Sequence, residues 1–219
     1  MPRRRLRFLA LLAAVSTTVL TACGSSGPLP DGSRLLSQSA TSMRSLNSAK
    51  ADIQVDGTLP GLPIKSANGV LTKEGSAKGT VSLDMGKQPF ELAFVVIGQD
   101  VYLKGPTGGF RKLSSSLPYD PRLIMDPKRG IAGVLSSGTD VQTEDHEQAN
   151  GVDSYKVQVK FPQKAVGGLV PGYDPSQPSE VWIASSGFRL VQGEFPTTDG
   201  KVTFRLSDFN APTDIKPPI

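Results

Sequence analysis

The chain of 219 residues holds one cysteine, one histidine and one tryptophan, and little of what catalytic sites are usually made from. A single cysteine excludes any disulfide within the chain. The single histidine, His146, lies in the charged run Glu144-Asp145-His146-Glu147, with no second imidazole or thiolate to complete a transition-metal set. It reads as part of a solvated strand or loop edge. A Ser-His-Asp triad would have to use His146, and no G-x-S-x-G elbow presents a serine to it; Ser114, Ser115 and Ser116 read as a solvated loop. There is no phosphate loop and no dinucleotide fingerprint. Aromatics make up 6% of the chain and fall in strands without a basic stripe, which argues against nucleic acid as a partner. The reading is of a protein that is not an enzyme and needs no cofactor.

Long apolar runs are absent too, apart from the beginning. Residues Met1 to Cys23 read MPRRRLRFLALLAAVSTTVLTAC. Arg3, Arg4, Arg5 and Arg7 precede an apolar stretch from Phe8 to Leu20 that is short for a membrane span. Leu20-Thr21-Ala22-Cys23 then fits a lipoprotein cleavage box, so residues 1–22 are expected to be an export signal and Cys23 the lipidated residue. The arginine pair suits either a general or a twin-arginine export route. An acylated Cys23 would hold the protein on the outer face of the cell membrane, since two or three chains anchor stably where one does not. Residues 24–30 follow as a Gly/Ser/Pro tether, and residues 31–219 as one folded domain. Removing the signal takes four of the 24 basic residues and no acid, leaving 20 of each sign. The basic balance of the whole chain therefore implies nothing about anionic partners.

What the domain does have is alternation. Val81, Leu83 and Met85 alternate with polar residues, as do Phe90, Leu92, Phe94 and Val96 after the turn Gly86-Lys87-Gln88-Pro89. Period-2 patterns of this kind put each apolar set on one face of an antiparallel sheet. The same pattern recurs at Ile53 and Val55, and at Tyr155, Val157 and Val159. About ten strands are expected. They are joined by a helix capped by Asp31 and carrying Leu35, Leu36, Met43 and Leu46. Two short helices should start at Asp120-Pro121 and Asp126-Pro127, with another near residues 163–170. The strand from Ile64 to Lys73 looks interrupted at Asn68-Gly69. Thr198-Asp199-Gly200 reads as a hairpin turn. The sum is an α+β fold: one large curved antiparallel sheet, a half-barrel, with helices across its concave face.

Two fillings of that face fit the pattern. The helices close a solid core, or the face lines an apolar cavity. In the second case Ile53, Val55, Val81, Leu83, Met85, Phe90, Leu92, Phe94, Val96, Tyr155, Val157 and Val159 would line it. The glycine-loosened segments carrying Ile131, Val134, Leu135, Val166 and Leu169 would border its mouth, because lids are drawn from the least stable elements.

The segments GPLPDGSRLL, PGLPIKS, GTVSLDMG, FVVIGQDVYL, YDPRLIMDPKRGIAGVL and SEVWI, in that order and spacing, resemble the LppX, LprA, LprF and LprG family of actinobacterial lipoproteins, most closely its LprG members. The resemblance implies a fold similar to the Lol-type lipoprotein carriers, LolA and LolB, with a cavity between sheet and helices. It further implies binding of multi-acylated lipids (phosphatidylinositol mannosides, lipomannan, lipoarabinomannan or triacylglycerol), their transport between membranes of the cell envelope, and an efflux transporter of the major facilitator class as partner. The alternative is a membrane-tethered scaffold for an envelope transporter, with a solid core and no lipid cargo.

Overall fold

A computed structural model describes residues 28–86, 89–114 and 119–219. The export signal, Cys23 and most of the tether lie outside the described residues. Helix α1, Gly32–Arg44, begins where Asp31 accepts a hydrogen bond from the Arg34 backbone N–H at 2.7 Å, satisfying one of the donors a helix start leaves free. Leu35, Leu36, Ala40 and Met43 recur on one face and are buried. Gly32 is where the helix presses closest: a Cβ there would lie 3.0 Å from the Val141 side chain.

Among the described residues eleven antiparallel strands form one open sheet: β1 Ser48–Asp56, β2 Ile64–Thr72, β3 Ser76–Asp84, β4 Pro89–Ile97, β5 Asp100–Lys104, β6 Arg111–Lys112, β7 Thr139–Ala149, β8 Val152–Lys160, β9 Ser179–Ala184, β10 Leu190–Thr197 and β11 Gly200–Ser207. Their spatial order is β6-β5-β4-β3-β2-β1-β11-β10-β9-β8-β7. The two halves of the chain are thus two meanders, joined down the middle by β1 pairing with β11. At roughly 4.8 Å per strand a flat sheet of this order would be almost 50 Å wide. Yet inward residues from β2, β5, β8 and β10 belong to one hydrophobic cluster with α1, so the sheet curves around its helices. Both edges discourage further pairing. β6 has two residues, both charged, and β7 is acidic and twice shifted in register against β8.

The chain must travel from edge strand β6 to edge strand β7, and it crosses the inner face to do so. On the way it forms a 3₁₀ helix, Pro121–Met125, and helix α2, Ile131–Leu135; helix α3, Gln163–Val166, adds to the cover later. Asp120 starts the 3₁₀ helix as expected. Asp126-Pro127 does not start α2. The Asp126 carboxylate accepts from the N–H groups of Lys128 and Arg129 in a separate turn, and α2 begins only after Gly130. The turn doubles back so tightly on the 3₁₀ helix that a Cβ on Gly130 would sit 2.6 Å from the Asp126 carbonyl oxygen.

Three other readings change. β2 runs unbroken through Asn68-Gly69, whose partners are Thr80 and Gly79. Arg111–Lys112 forms an additional strand, because the loop after β5 returns to pair with it. The apolar pattern also predicts a strand from Phe188 to Phe195, but Phe188 lies in the turn before β10 with a φ of 51°. No helix among the described residues is long and apolar enough to cross a membrane.

Candidate functional site: an apolar cavity on one half of the sheet

Cross-strand partners share a face, so the register reads out the inner surface directly. One row runs Phe204, Ile53, Ala67, Val81, Leu92; the next runs Leu206, Ala51, Gly69, Gly79, Phe94, Leu103; a third runs Ala49, Leu71, Ala77, Val96, Val101. The third row is packed solid, with Ala77 at 0% and Val96 at 1% exposure. In the first two rows Ile53, Ala67, Val81, Leu92, Phe94 and Leu103 are only half-buried, although they face the same way. Apolar side chains on an inner face that keep accessible surface must border a space.

That space is a cavity of about 370 Å³. Its floor is made of small residues, Ala51, Ala67 and Gly69. Gly69 and Gly79 face each other across β2 and β3; a Cβ on Gly69 would lie 2.6 Å from the Lys78 carbonyl oxygen, and one on Gly79 would run into the carbonyl of Asn68. The two strands approach where only glycine fits, leaving the floor without side chains to fill it. A register shift between Ile64 and Ser66 turns Ile64 inward as well as Ala67, adding a wall at the far end. Leu62 and Pro63 form the rim there, and Tyr119, Pro121 and Ile124 the cover.

The wall is apolar. Among the described residues no charged one lines it, and the one lining amide, Asn68, donates to Thr80 Oγ1 at 2.9 Å. Charge stays in the cover's backing. Asp120 Oδ2 accepts from Arg122 Nη2 at 2.7 Å and Oδ1 from Nε at 2.8 Å, and the Gly98 carbonyl takes Arg122 Nη1. These hydrogen bonds hold the Asp120 carboxyl below the ordinary carboxylate range. The Tyr119 phenol is pushed well above its ordinary value, first by burial and then by the neighbouring Asp120 charge. Such a chamber can take up hydrocarbon and exclude water.

Of the residues assigned to the wall from sequence, Ile53, Val81, Leu83, Leu92 and Phe94 lie on it. The others sit elsewhere. Val55 and Val96 are buried in packed regions beyond its ends. Met85 follows the last residue of β3 and is 66% exposed; Phe90, opposite Leu83 at the start of β4, is 40% exposed. Tyr155, Val157 and Val159 belong to the other half of the sheet, where Tyr155 stacks on His146 with ring centroids 4.5 Å apart. That half is solid because aromatics fill it: Phe161, Tyr173 and Phe204 each pack against Phe195. Ile131, Val134, Leu135, Val166 and Leu169 are brought together with Phe195 and Phe204 around a crevice of about 10 Å³, room for no more than a single water. The structure thus places them in the solid half, away from the described cavity. Ala51, Ala67, Leu62, Leu103, Tyr119 and Ile124 were not singled out by sequence. Glycine and alanine inside strand patterns were the available signal for the floor; nothing in the sequence marks the cover.

A family model described as LppX_LprAFG lipoprotein matches residues 31–215. The chain belongs to this family. Lipoarabinomannan carrier protein LprG of Mycobacterium tuberculosis is 31% identical over 232 residues, covering 100% of this chain and 98% of the relative. Among solved structures, LprF from Mycobacterium bovis superposes with a TM-score of 0.76 at 22% identity, over 87% of this chain and 98% of LprF. LppX from Mycobacterium tuberculosis does so with a TM-score of 0.65 at 24% identity, over 85% of this chain and 100% of LppX. The large open antiparallel sheet with few helices is therefore the fold of LprF and LppX. The family is one of lipoproteins, not of enzymes, and the absence of a catalytic constellation in the sequence has its reason there.

Proposed function

We propose that this protein is an exported, membrane-anchored carrier that takes acylated lipids into the cavity beneath Tyr119, Pro121 and Ile124 and moves them within the cell envelope. The observation that carries this reading is the half-buried apolar wall on β1–β5, where a stable domain would otherwise have built a solid core. A space of about 370 Å³ lies near the small end of ligand pockets, roughly 300–1,000 Å³. It suits one acyl chain; further chains of a multi-acylated lipid require the cover to part from the wall. Each methylene hidden from water is worth about 0.8 kcal/mol, so a sixteen-carbon chain drawn naked into water would cost about 12 kcal/mol. A cavity exchanges one apolar medium for another, which permits both capture and release.

The name of the LprG relatives supports an acylated glycolipid, with phosphatidylinositol mannosides, lipomannan, lipoarabinomannan and triacylglycerol as the cargoes to test. In the same proposal residues 1–22 are removed on export, Cys23 carries the lipid anchor on the outer face of the cell membrane, residues 31–219 form the carrier domain, and a major-facilitator efflux transporter is its partner. Organic extraction and mass spectrometry of protein purified from its native host, with Cys23→Ala to remove the anchor's own lipid, tests the cargo. Acylated lipid in stoichiometric amount is the expected result. Repeated absence of lipid would leave a tethered scaffold as the better reading.

A further inference from the structure

The cavity contains one feature that hydrocarbon alone does not account for. The Tyr119 ring forms part of the wall, and its hydroxyl oxygen is buried with no hydrogen-bond partner among the described residues. Buried hydroxyls are nearly always paired, because losing water without gaining a partner is unfavourable. A phenylalanine would complete the same apolar wall without that penalty. The phenol remains protonated at any physiological pH, so it is a standing donor in search of an acceptor.

The surroundings limit what the acceptor is. Arg122, a cation on the cover, is committed to Asp120 and to the Gly98 carbonyl. No charged side chain among the described residues lines the cavity, so a phosphate or carboxylate drawn inside would find no counter-charge in that lining. A sugar would bring several hydroxyls to a wall whose one other polar side chain among the described residues, Asn68, already donates to Thr80 Oγ1. What matches one neutral donor among apolar residues is one neutral acceptor on an apolar chain. We propose that Tyr119 reads the carbonyl oxygen of an acyl ester, donating its hydroxyl proton to it in a hydrogen bond when the cover parts to admit a chain, and so selects ester-linked lipids over ether-linked lipids of equal length. This rests on the carrier reading above and adds to it the residue that recognises the joint between acyl chain and headgroup, with charge and sugar held outside.

The test uses the full-length chain carrying Cys23→Ala, with dipalmitoylglycerol and its chain-matched di-O-hexadecyl ether as competitors of a fluorescent fatty-acyl probe. The ether has the same chains and lacks the carbonyls. One neutral hydrogen bond predicts about a fivefold preference for the ester. Tyr119→Phe keeps the ring and should bind both lipids with the preference gone. It should also raise the thermal midpoint of the lipid-free protein, since the stranded hydroxyl is removed. Equal ester-to-ether ratios in the parent and in Tyr119→Phe, with both lipids bound, would overturn the role of Tyr119 and leave the carrier intact. Failure of both lipids to bind the parent protein would overturn the carrier reading itself, and this proposal with it.

Discussion

Val81 and Val157 are both inward-facing valines on central strands, and replacing each by tryptophan should have opposite consequences. Val81 lies between Ala67 and Leu92 and faces the cavity, half-buried. Val157 pairs with Val181 in the solid half, and both are 0% exposed. An indole at position 157 has no space. Overpacking costs about 1–3 kcal/mol or more, and at about 2–4 °C per kcal/mol for a domain of this size the midpoint should fall by about 2–12 °C. An indole at position 81 meets open volume over a floor of glycine and alanine. Most of its surface is then removed from water, which offsets any local strain, and the midpoint should stay within about 2 °C of the parent. The same ring occupies the space an acyl chain needs, so co-purifying lipid should be lost. Ser82→Trp is the parity control, because its partner Glu91 lies on the opposite face; it should retain lipid. Scanning calorimetry and lipid mass spectrometry on all three variants settle the matter. A loss of stability in Val81→Trp equal to that in Val157→Trp would refute a hollow wall and restore a solid core. Loss of lipid from Ser82→Trp alone would mean that the face is assigned backwards.

Other outcomes follow from the same geometry. Gly79→Val should cost about 2–4 kcal/mol in urea unfolding, because its Cβ meets the Asn68 backbone and neither strand can withdraw without breaking the ladder; a near-neutral result would show that the strands have slack at the floor. The Asp120 carboxyl is depressed in the folded state, so its stabilising contribution is complete above the unfolded value of about 3.9 and is lost as pH falls through the lower folded value. Both partners are about a third exposed, at 36% each, so the effect is at most about 1 kcal/mol. Stability measured between pH 5 and pH 3 should fall less in Asp120→Asn than in the parent, and an equal fall would remove Asp120 from the acid response. Cys23→Ala should abolish partitioning into the detergent phase, whereas a variant that still partitions would exclude Cys23 as the anchor.

The strands were legible because period-2 alternation is a local consequence of backbone geometry. Val81, Leu83, Leu92 and Phe94 could be placed on one face from their neighbours alone. Asp31 and Asp120 were legible as caps for the same reason: the hydrogen bond each accepts comes from the N–H of a residue two or three positions ahead. The first error at the β3–β4 hairpin was also local. Alternation continues through Met85 although the ladder ends at Asp84 and Pro89, and nothing in a period says where the pairing stops; Phe90 is still paired with Leu83, yet at that end of the sheet it stays exposed. Asp126-Pro127 misled in a related way, since a cap-like hydrogen bond forms there without a helix behind it.

Sequence by itself determined which residues face inward, but not what they face. Val81 and Val157 carry the same pattern, and one borders empty space while the other is sealed. That difference comes from partners distant in the chain. On one side β8–β11 bring Phe195 and Phe204 over the sheet; on the other, Gly69 meets Gly79 and a 3₁₀ helix from the crossover spans the gap. Whether an apolar face becomes core or cavity depends on the summed volume of everything packed against it, and that sum exists only once the chain has folded. Tyr119 shows the same division at a single atom. Its sequence context marks only the start of a helix, and only the tertiary structure leaves its hydroxyl buried above an apolar wall without a partner.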